Sequence, residues 1–68
     1  MRDESVLISE LESEKKNVND KYNRLDEFID KHGDEIKKPQ LEAMKLQRTA
    51  MLIYVYSLAL RMELLKQS

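Results

Sequence analysis

Apolar side chains or their stand-ins fall at Ile8, Leu11, Lys15, Val18, Tyr22, Leu25 and Ile29, alternating steps of three and four residues that keep to one face of a helix. Lys15 alone interrupts the stripe. The pairs Glu12/Lys16, Asp20/Arg24 and Glu27/Lys31 stand four apart with the acid first, the favourable order, and are expected as solvated ion pairs worth roughly 0.2–0.5 kcal/mol each. A second stripe with the same alternation runs through Leu41, Met44, Arg48, Met51, Val55, Leu58, Met62 and Leu65. Two more apolar faces lie beside it, one of Leu52, Tyr56 and Ala59, the other of Ile53, Leu60 and Leu64. Between the stripes, the sole glycine, Gly33, follows Lys31 and His32 and is predicted to end the first helix as a left-handed cap. Pro39 disfavours helical geometry at Lys38 but suits the first position of a new helix.

These signals predict an all-α fold with a single domain over 1–68, an antiparallel two-helix hairpin with one helix over about 9–32, a turn at 33–38 and a second helix over about 39–66. Ser9 to Glu12 fits the capping box S-x-x-E, which would start the main helix at Ser9 and leave about 2–8 as an arm or a short separate helix. An uninterrupted helix from about Asp3 is the competing reading.

The run from Ala50 to Leu60 is apolar at every position except Ser57, in a chain of which 37% is charged. At a rise of ~1.5 Å per residue it is about 17 Å long, too short for a bilayer core that needs ~20 residues, so no membrane is expected as partner. Such a helix wants protein on all sides, and one partner helix covers only one stripe of it. A chain of this size buries only about 60% of the surface its unfolded form exposes, and without cysteine it has no disulfide to compensate. A homo-oligomer is therefore expected. The formal net charge of −1 argues against a long nucleic acid as partner while leaving room for a small anion held by a few cations. The first five residues carry no signal-peptide pattern, so an intracellular, cytoplasmic location is expected.

No catalytic constellation emerges, and neither a metal site nor a cofactor is expected. His32, the only histidine, falls in the predicted turn, and three of the four methionines lie on the second stripe as core fillers. The expectation is a protein that is not an enzyme. Cations at awkward places carry more information: Lys15 and Arg48 inside the stripes, Arg61 directly after the apolar run, and Lys21 with Arg24 a turn apart beside Tyr22. On spacing alone, salt bridges between subunits to Glu14, Asp20 or Glu63 are the simpler account of them.

The set Glu14-Lys15, Val18, Lys21, Leu25 to Ile29, Gln47, Ala50-Met51, Tyr54, Leu58 and Arg61 resembles, over roughly residues 10–64, a family of very small phage proteins, the anti-CBASS sponges. The resemblance implies a short N-terminal helix and two long antiparallel ones assembled into a homohexamer. It implies pockets between protomers for cyclic dinucleotides and further pockets near threefold axes for cyclic trinucleotides. Residue by residue, it implies Lys21 at ligand phosphate, Arg61 in the trinucleotide pocket and Asn23 lining that same pocket. Arg24, Tyr22 and Tyr54 complete the candidate ligand-binding set. Where the family has a base-stacking aromatic in its N-terminal helix, this chain has only aliphatics near Val6, which either removes dinucleotide stacking or moves it to Tyr22, Tyr54 or Tyr56. The connection between the helices is also shorter. The implied function is sequestration, without cleavage, of the cyclic di- or trinucleotide second messengers of CBASS-type defence, in the host cytoplasm if the chain is phage-encoded. An oligomeric, coiled-coil-like adaptor that binds a host or phage protein is the alternative.

Overall fold

The computed structural model describes residues 3–67. Helix α1 spans Glu4–His32, a single 3-10 turn spans Gly33–Glu35, and helix α2 spans Lys38–Gln67. The described residues form no strand, and the two helices pack side by side as an antiparallel hairpin about 48 Å long and 17 by 14 Å across.

The first helix starts a turn and a half earlier than the capping box at Ser9 suggests. Asp3 is extended (φ −65°, ψ 145°) and its carboxylate accepts the Ser5 backbone N–H at 3.3 Å, while its carbonyl takes the Leu7 N–H at 3.1 Å. With Asp3 as cap and no Gly or Pro before Gly33, nothing interrupts the helix at Ser9. The expected arm or separate N-terminal helix is therefore the first turns of α1, except for Arg2, which lies outside the described residues.

The turn also differs from expectation. Gly33 is not left-handed: at φ −55°, ψ −36° its N–H still bonds the Ile29 carbonyl, and the chain tightens into the 3-10 turn before Ile36 becomes extended. The Ile36 N–H closes that turn on the Gly33 carbonyl at 3.3 Å. A tightened last turn satisfies carbonyls that a left-handed cap would otherwise reach. α2 begins at Lys38, so Pro39 lies in its first turn, where the missing N–H costs no helical bond.

Packing follows the two stripes. Leu11, Ile29, Val55, Leu58 and Met62 are buried, Leu58 completely. Leu11, Leu58 and Met62 form one cluster against which Leu7, Ile8 and Leu65 pack. Tyr22 lies half-buried in the α1 stripe. Of the three expected ion pairs, Glu27 and Lys31 meet at 2.6 Å, which lowers the Glu27 pKa and raises that of Lys31. Lys16 turns the other way, to Asp20 at 3.3 Å instead of Glu12, and Arg24 is left without an acid among the described residues.

One face of α2 is left uncovered by the described residues. Leu46, Ile53, Leu60 and Leu64 are 72%, 63%, 60% and 57% exposed. With the exposed Ala50 and Ser57 between them they trace a further stripe of alternating four- and three-residue steps, opposite the one that faces α1. No helix among the described residues is long and apolar enough to cross a membrane.

Candidate ligand-binding site

Polar side-chain contacts between the helices mark the two flanks of the hairpin. On one flank Arg48 Nη1 donates to Asp26 Oδ1 at 2.9 Å. On the other the Tyr54 hydroxyl donates to Glu14 Oε1 at 2.6 Å. A carboxylate that accepts this proton stabilises the neutral phenol, so the Tyr54 pKa rises, chiefly through that bond and then through burial and the Glu14 charge, with Arg61 opposing. Arg61 is thus close enough to Tyr54 to act on it, and the two stand seven residues apart on one face of α2.

Beside Arg61 lies a cavity of about 360 Å³ lined by Leu7, Leu64, Leu65 and the Arg61 side chain itself. Its walls are aliphatic apart from the guanidinium, and Arg61 is exposed and has no carboxylate partner among the described residues. Lys21 and Arg24 likewise pair with no acid among the described residues, and the salt bridges expected for this set lie between subunits. A guanidinium over an apolar wall suits a ligand that carries both a planar base and a phosphate. Arg61 stands out in the sequence but Leu7, which lines the same cavity from α1, does not; no motif marks Leu7, and only the antiparallel register brings it there.

The remaining candidates do not converge within one protomer. Lys21 projects on the Tyr54 flank, seven residues beyond Glu14 along α1, whereas Arg61 lies seven residues beyond Tyr54 along the antiparallel α2. At ~1.5 Å per residue, Lys21 and Arg61 stand roughly 20 Å apart along the hairpin axis. Asn23, two residues after Lys21 and about 200° around the helix from it, projects on the opposite flank. Arg24 projects outward beside Phe28 at a shallow cavity of about 210 Å³. Tyr22 belongs to the contact face between the helices. Lys21, Asn23 and Arg24 therefore bear on a different ligand surface from Arg61 unless another copy of the chain brings them to it.

Two further cavities lie on the Asp26 flank. One, about 640 Å³, sits at the turn end and is lined by acids together with Lys45 and the paired Arg48. The other, about 610 Å³, lies between the middle turns of α1, at Glu12, Lys15, Lys16 and Asn19, and the last turns of α2, at Met62 and Lys66. Three or more metal-ligating side chains do not cluster anywhere among the described residues. His32 stays at the turn, its ring 5.0 Å from Phe28 and its Nδ1 3.2 Å from Glu35.

A family model, Sequestin, matches residues 6–64. The chain belongs to the Sequestin family. This fits the resemblance to small phage anti-CBASS sponge-like proteins, and the family name is consistent with sequestration. No curated protein and no solved structure matches the chain.

Proposed function

We propose that this Sequestin protein is a non-catalytic sponge that sequesters cyclic di- or trinucleotide second messengers of CBASS-type defence. The observation that carries the proposal is Arg61, an exposed guanidinium without an acid partner among the described residues, set against the aliphatic cavity of Leu7, Leu64 and Leu65 and next to Tyr54. Cyclic nucleotides offer the matching chemistry, since their bases supply flat apolar area and their phosphates supply the charge. Lys21, also exposed and without an ion pair among the described residues, fits a second phosphate contact about 20 Å along the axis, as expected for two kinds of pocket.

Assembly belongs to the same proposal. Fully burying a Leu or Ile stabilises by about 1.5–3 kcal/mol, so covering Leu46, Ile53, Leu60 and Leu64 from their present exposure is worth about 1–2 kcal/mol apiece. Further copies of the chain laid on that stripe would also close open cavities into pockets between protomers, bringing Lys21 or Asn23 of one copy toward Arg61 of another. Six subunits are favoured by the family resemblance alone. The same stripe supports the second reading, an adaptor whose α2 face docks a host or phage protein.

A thermal-shift screen with a panel of cyclic di- and trinucleotides separates the two. A ligand at 100 times its dissociation constant adds about 2.7 kcal/mol of apparent stability. Arg61→Ala is expected to weaken binding on the order of 10- to 100-fold while the assembly stays intact, the loss of one charge-assisted hydrogen bond. If Arg61→Ala lowers stability and leaves affinity alone, the cation is structural. If no nucleotide shifts the wild-type protein, the adaptor reading takes its place.

A further inference from the structure

The two cations inside the helix stripes are not alike. Arg48 reaches a carboxylate, Asp26, at 2.9 Å. Lys15 has no acid partner among the described residues, although it occupies a half-buried position where every neighbour on its stripe is apolar or aromatic. With Met62, Lys16, Lys66 and Asn19 it lines the cavity of about 610 Å³ between the helices. The lining residues include three lysines and a single acid, Glu12. Asp20, outside the cavity, takes Lys16. Lys66 has its own reason to be there, because the last turn of α2 favours a cation. Lys15 has none: an aliphatic residue would complete the stripe and bury more apolar surface.

We infer that this groove is a second anion site, on the flank opposite Tyr54, which takes a compact phosphate group through the ammonium groups of Lys15 and Lys66 and the amide of Asn19. Lys15 gives up packing in the stripe in exchange for a charge that a bound anion would pair. The site is independent of Arg61, which lies on the other flank beside its own cavity.

Inorganic pyrophosphate, titrated into the protein by calorimetry at low salt, tests the site, with Lys15→Met as the variant. Methionine keeps the length of the side chain and fills the stripe, so the unliganded variant is expected to be as stable as wild type or more so. Its pyrophosphate affinity is expected to fall about 10-fold or more, the loss of one charge-assisted contact. Lys37→Met, which removes one exposed charge near the turn, serves as the control for net charge and should change affinity much less. Arg61→Ala should leave pyrophosphate binding at this groove in place. The inference is overturned if wild type does not bind pyrophosphate, if Lys15→Met and Lys37→Met weaken it equally, or if Arg61→Ala abolishes it while Lys15→Met does not. The last outcome would assign the anion to the Arg61 cavity alone.

Discussion

Leu58→Ala removes a side chain that the hairpin buries completely, in the cluster with Leu11 and Met62. Three carbons lost at about 0.8 kcal/mol each give roughly 2.4 kcal/mol of transfer free energy, and the cavity left behind brings measured Leu→Ala costs to about 2–5 kcal/mol. Met62 is flexible and adjoins the site, so it can move in part into the space, which places the cost toward the lower end, about 2–3.5 kcal/mol. A chain of this length has about 3–10 kcal/mol in all, so the substitution removes a large share of it. Urea denaturation followed by circular dichroism measures the loss, with both proteins at the same concentration because any assembly makes the midpoint concentration-dependent. Leu58→Met, close in volume, should cost less than about 1.5 kcal/mol. A loss below about 1 kcal/mol for Leu58→Ala would refute the assignment of the α2 stripe that faces α1.

Leu60→Asp addresses the opposite face: at 60% exposure the side chain contributes little to one hairpin, so helicity should persist while light scattering reports a smaller assembly. An unchanged mass would take the outer stripe out of the interface. Gly33→Ala should be neutral or stabilising by about 0.4–1 kcal/mol, because the backbone there is right-handed and a Cβ meets only Leu41 Cδ1, at 3.8 Å; a clear loss in thermal melts would restore the left-handed cap. The Tyr54 pKa is raised, so whatever the bond to Glu14 contributes is fully present below the ordinary tyrosine pKa of about 10 and is lost as pH rises through the folded value. Phenolate absorbance in an alkaline titration should show one tyrosine ionising late in wild type and at an ordinary pH in Glu14→Gln. Three tyrosines titrating alike in the wild-type protein would contradict the contact.

The hairpin was legible because α1 and α2 each carry a long alternation, from Ile8 to Ile29 and from Leu41 to Leu65, that no strand pattern could imitate. The helix start was not, since Ser9 offers a valid capping pattern whose use depends on whether Asp3 caps first. Gly33 misled for a similar reason: glycine permits a left-handed cap but does not require one, and the 3-10 turn closes the helix without it. At the candidate site, Arg61 stood out as a cation beside an apolar run, while its cavity partner Leu7 depends on the register of two antiparallel helices, which no local motif encodes. The stripe of Leu46, Ala50, Ile53, Ser57, Leu60 and Leu64 was only partly visible, because the small residues at alternate steps hide its regularity until exposure reveals the shared face.

Sequestration without chemistry is the central claim, and retention of intact ligand tests it most directly. The purified protein is incubated with a cyclic di- or trinucleotide, freed of unbound nucleotide by gel filtration and heat-denatured, and the released material is analysed by chromatography. The account predicts intact cyclic nucleotide recovered in fixed proportion to protein from wild type, and far less from Arg61→Ala. Linear or mononucleotide products would make the protein a nuclease, and no retained nucleotide from any member of the panel would contradict the sponge.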